Sequence, residues 1–171
     1  MTRVFIYLGR FAVIILGYAA AAVAASAFMH LLTLGAAGFS PQSEPLVITS
    51  SVMASVLIVA LFTAYFAFIP SLPVVLAAEM LGRRDWAFYA LGGIVVAAAA
   101  LGMLWLASEP ISGGLGLSED AAEIDPALRD PSFLMFVAAG GIVGGIVYWL
   151  VAGRLAGNWR AKARPIHRTS E

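Results

Sequence analysis

The sequence predicts an all-α, polytopic membrane protein with four transmembrane helices and both termini on the cytoplasmic side. Three observations predict it. First, the 171 residues are 61% hydrophobic and only 12% charged, with a mean hydropathy of +0.93. A water-soluble domain carries about 25% charged residues, so the surplus apolar surface must face lipid. Second, four runs without a charge (11–43, 45–78, 86–108 and 131–153) each exceed the roughly 20 residues needed to cross a hydrocarbon core about 30 Å thick. In lipid such runs must close their own backbone hydrogen bonds, so they form helices. Third, nine of the ten basic residues fall in the N-terminus, the second connection and the tail. The positive-inside rule places those segments in the cytoplasm. The chain is read as one domain over 1–171.

The first span covers about 11–34. Its "AAAAVAASAF" offers small residues of the kind a signal peptidase cleaves. The apolar run before it is much longer than the about 7–15 residues of a signal core, so the helix is expected to be retained. Gly17, Ala21 and Ala25 recur every fourth residue, a spacing that lets helix backbones approach closely. Near the end of this span His30 is a candidate proton relay; the alternative is a neutral imidazole bonded near the outer interface.

The second span covers about 48–70. Fully helical, 45–78 would be about 50 Å long, so Pro70 and Pro73 are expected to kink or end the helix. "VVLAAEML" then lies along the interface or continues as a tilted extension. Glu79 has two readings. It is an interfacial carboxylate pairing with Arg83 one turn on, worth a few tenths of a kcal/mol, or a cation- or proton-binding carboxylate in a cavity at a broken helix.

The third span, about 86–106, begins after Asp85, a helix cap. An acidic, Gly-rich periplasmic loop follows over 109–130, with Ser118 read as the cap of a short helix inside it. Asp130–Pro131 starts the fourth span, about 132–152: the Asp caps and the Pro takes the first helical position. This span carries a doubled small-residue spacing, Gly140/Gly144 and Gly141/Gly145, read as a packing face either within the bundle or at a dimer seam. The tail over 154–171 places Arg154, Arg160, Lys162, Arg164 and Arg168 near anionic headgroups, at about 1 kcal/mol per charge. That accounts for its basic character without nucleic acid.

The chain has no cysteine, and it lacks phosphate-loop, HExxH, nucleophile-elbow and EF-hand spacings. No catalytic residue, metal or cofactor is expected. Two functions stay open. One is a non-enzymatic accessory, assembly or scaffold subunit acting through helix–helix contacts, as a homodimer or within a larger membrane complex. The other is a small oligomeric transporter or channel using Glu79, His30 or both.

"FIPSLPVVLAAE" followed by "WAFYALGG", with "GGIVGGIVYWLVAGRLAG" near the end, resembles small four-helix inner-membrane proteins of alphaproteobacteria. The resemblance implies a bacterial inner-membrane location and brings no activity with it.

Overall fold

The computed structural model describes residues 2–37, 45–108 and 130–157. The short helix expected at Ser118, most of the acidic loop, and the tail residues Arg160, Lys162, Arg164 and Arg168 lie outside the described residues. Among the described residues four helices make up the fold: α1 (Thr2–Ala37), α2 (Pro45–Leu81), α3 (Trp86–Ser108) and α4 (Pro131–Val151), with a 3-10 turn at Gly153–Leu155. All four are long and apolar enough to cross a membrane.

The helix ends follow from local chemistry. Asp130 sits in extended conformation and its carboxylate accepts from the Ser132 amide at 2.8 Å, with Pro131 in the first turn. Asp85 accepts from the Ala87 amide at 3.4 Å at the start of α3. At the end of α2, Gly82 takes φ +63° and the Arg83 amide donates back to the Ala78 carbonyl at 3.1 Å. This is a left-handed stop that glycine makes at little cost.

One expectation is corrected here. α2 does not end at Pro70; it is helical through Pro70 and Pro73 over 37 residues, about 55 Å. Each proline removes one donor. Within the same stretch the Ser71 hydroxyl donates to the Phe68 carbonyl at 2.8 Å. Contacts at Ala78 and Glu79 then hold the extension against the rest of the molecule.

The helices run up and down, with α4 packed most widely against α3 and α1, and α2 against α1 and α3. Among the described residues the buried set, glycines aside, is small: Ala22, Ala25, Val56, Ala60, Ala78, Ala90, Ala152, Ala156, Ser26 and Ser71, with Tyr89 and Tyr148 as its large members. Large apolar side chains point outward, with Tyr65 76%, Leu61 73% and Met135 73% exposed. A water-soluble bundle does the reverse. Small residues inside and large apolar ones outside suit helices held by close van der Waals fit, with hydrocarbon around them.

Glycine makes that fit possible on two adjacent faces of α4. On one, a Cβ added to Gly141 or Gly93 would run into the other's backbone carbonyl, and a Cβ on Gly145 would strike the carbonyl of Tyr89. On the other, Gly144 lies under Ala21 and Ala25, and Gly140 under Met29. Gly17 of α1 meets Tyr148 and Ala152, whose Cβ would be 2.8 Å from an added Cβ. Both glycine pairs are therefore occupied within one chain, one by α3 and the other by α1.

Replacing Gly141 and Gly145 together by Leu should destabilise the bundle by about 1–3 kcal/mol per site, because backbone on the facing helix cannot yield as a side chain can. A thermal-unfolding series in mild detergent reads this directly. A melting temperature equal to wild type would show that α3 and α4 do not meet through these glycines.

Candidate functional site

The charged residues placed by α1 and α2 meet at one end of the bundle. Arg10 lies within the unbroken apolar helix α1, and the extension of α2 past its prolines carries Glu79 to the same level. Arg10 donates to Glu79 Oε1 through Nε at 3.0 Å and through Nη2, and its Nη1 donates to the Ala152 carbonyl at 3.1 Å. Glu79 Oε2 accepts from the Gly157 amide at 3.2 Å. Both side chains are only 13% exposed. One ion pair thus ties α1, α2, the end of α4 and the turn beyond it.

Neighbouring bonds extend this knot. Arg84 Nε donates to the Ala156 carbonyl at 3.1 Å, and Trp149 Nε1 donates to the Arg84 carbonyl at 2.7 Å. Tyr89 donates to the Arg83 carbonyl at 3.1 Å. Arg154, expected to meet anionic headgroups, places its guanidinium 5.0 Å from the Trp149 ring centre and remains exposed. Beneath the knot, Ala152 and Ala156 are fully buried.

Glu79 thus has a partner that neither of its expected readings named. Its ion pair is with Arg10, across 69 residues of sequence, whereas sequence spacing pointed to Arg83. It is partly buried and paired, with both oxygens accepting from the protein. Arg10 was legible as an arginine inside an apolar run on the same predicted side as Glu79. Local spacing missed the pair because nothing in the i,i+4 rule looks across helices.

His30 is at the other end of α1, about 30 Å from Arg10 at 1.5 Å per residue. Its Nδ1 is 2.8 Å from the Ser26 carbonyl and its Nε2 is 2.8 Å from Ser55 Oγ. A carbonyl only accepts, so Nδ1 carries the hydrogen, and in the neutral ring Nε2 accepts from the Ser55 hydroxyl. Ser26, fully buried, donates to the Val56 carbonyl at 2.8 Å. His30 thus joins α1 to α2. Glu79 and His30 are not brought together.

Between these two polar ends lies an almost wholly apolar cavity of about 530 Å³, bounded by all four helices. Gly93, Gly141 and Gly144 line it, and Tyr89 and Tyr148 close it toward Arg10. The Tyr18 hydroxyl, at its edge, is turned onto the Ala64 carbonyl. No group of three or more His, Cys, Asp or Glu residues suited to a metal occurs among the described residues.

Breaking the ion pair should cost much more than an exposed pair would. Glu79→Gln leaves a guanidinium in a poorly hydrated site, a loss of about 3 kcal/mol or more. Arg10→Leu combined with Glu79→Leu should cost less than the sum of the two single changes. A double-mutant cycle in detergent measures the coupling. Strict additivity would mean that the two residues do not interact.

No family model, curated protein or solved structure matches this chain.

Proposed function

We propose that the chain is a non-enzymatic, multi-pass protein of a bacterial inner membrane, acting as an accessory, assembly or scaffold subunit through contacts between helices. The observation that carries this reading is the commitment of Glu79, whose two oxygens are taken by Arg10 and by the Gly157 amide. A carboxylate held in this way is a tie between segments. It cannot release and rebind an ion without unfastening the end of the bundle. His30 is bonded into the α1–α2 seam in the same manner.

The surface available to a partner is the outward side of α2, whose apolar window is only 6% buried. Leu61, Tyr65 and Ile69 recur there every fourth residue and are all well exposed. Recurrence at that interval makes one stripe along a helix, which another helix can lie against. With the basic end in the cytoplasm, the Arg10–Glu79 knot is on the inner side and His30 on the outer.

Three experiments test the proposal. In sealed vesicles carrying an internal pH dye, the protein should leave proton and cation permeability at the level of protein-free vesicles. A flux abolished by Glu79→Gln would instead favour a transporter. A photo-crosslinking amino acid at Leu61 or Tyr65 in living cells should yield a discrete protein adduct, and adducts to lipid alone would contradict the scaffold role. Reporter fusions after Gly38 and after Glu171 should report opposite sides of the membrane; the same side for both would overturn the topology.

A further inference from the structure

We infer that the central cavity takes up one long hydrocarbon chain, the acyl tail of a bilayer lipid. The inference rests on the bilayer placement alone and is independent of whether the chain scaffolds a partner. Three observations on the cavity carry it.

The first is size. A volume of about 530 Å³ is room for at least 17 groups of roughly 30 Å³, the share of a water molecule and close to that of a methylene. On α3 the lining runs from Tyr89 to Leu104, about 22 Å of helix. The space is therefore tall as well as large, the shape of a chain lying parallel to the helices.

The second is chemistry. The hydroxyls of Tyr18, Ser71 and Tyr89, all on the lining, are turned onto the backbone carbonyls of Ala64, Phe68 and Arg83. Among the described residues, no buried side-chain nitrogen or oxygen lacks a partner. Thr63 and Tyr148 add two more hydroxyls to an otherwise apolar lining, too little for a charged headgroup, so the part of the occupant inside is hydrocarbon.

The third is access. Of the lining residues only Phe62 is exposed, at 61%, so it marks the rim where the cavity opens on the flank of α2. Four helices in a bilayer present that rim to acyl chains, the most abundant apolar species available, and mass action fills even a weak site at such a concentration. The walls cannot collapse to close the space. α4 is fixed against α1 and α3 by its glycines, and Tyr18 and the Arg10–Glu79 pair fix α2 to α1. An empty cavity would leave its lining without dispersion partners on one side, and a chain supplies them.

The test uses full-length protein in phosphatidylethanolamine vesicles containing a phospholipid with a diazirine in its acyl chain, with adducts mapped by mass spectrometry. Wild type should be labelled at Ala97 and Val137, inside the cavity, as well as at exposed Leu106. Ala100→Phe, which fills the cavity, should reduce the inner adducts at least tenfold and leave Leu106 unchanged. Ala67→Phe fills the same space from α2 and serves if the first variant fails to fold. Labelling confined to Leu106, or inner adducts unaffected by both variants, would overturn the inference. Inner labelling by a diazirine isoprenoid but not by the acyl probe would also overturn it.

Discussion

The contact on which the rest of this structure depends is the meeting of α3 and α4 backbone to backbone at Gly93 and Gly141. Neither glycine has room for a Cβ, because each faces the other's carbonyl group. Within hydrocarbon no hydrophobic effect drives such helices together, so affinity has to come from fit at short range. Gly145 continues this face against Tyr89 and Ala90, and the adjacent face receives α1 through Gly140 and Gly144. α4 is thus the hub, and its two glycine stripes fix the positions of both neighbours.

α2 is attached on different terms. Its span is barely buried, and polar bonds hold much of it: Ser26 and His30 at one end, Tyr18 in the middle, Arg10 with Glu79 at the other. Polar ties in apolar surroundings are directional and leave the separation of the helices to the length of the side chains. A close-packed side and a strutted side in one bundle leave space between them, and the cavity occupies that space. Small residues inside and polar struts across the gap have the same consequence: little large apolar surface is spent on the interior, and most of it faces outward.

Much of this was legible in the sequence. Run length and charge gave four helices, and Asp130–Pro131 gave the start of α4 where the structure has it. The four-residue recurrence of glycine marked the faces of α4 without saying which helices would lie on them, since recurrence defines a stripe and carries no partner. Glu79 was legible as exceptional, but its partner was not. The pairing joins residues 69 apart, and only the fold brings them level. The course of α2 past Pro70 was left open between a turn and a continued helix for a related reason. Proline's cost to a helix is local, and the tertiary contacts that outweigh it, at Ala78 and Glu79, lie beyond the reach of a local rule.

The most direct test of the central claim is a distance. The chain has no native cysteine, so spin labels can be placed at exposed Leu91 of α3 and Leu150 of α4, with a reference pair at Leu16 of α1 and Leu72 of α2. Pulsed dipolar spectroscopy in bilayers then compares the native sequence with Gly141→Ala. A single added methyl group should lengthen the α3–α4 distance toward the ordinary helix separation of about 8–10 Å and leave the reference pair unmoved. An α3–α4 distance unchanged by Gly141→Ala would contradict the claim that glycine contact sets the packing.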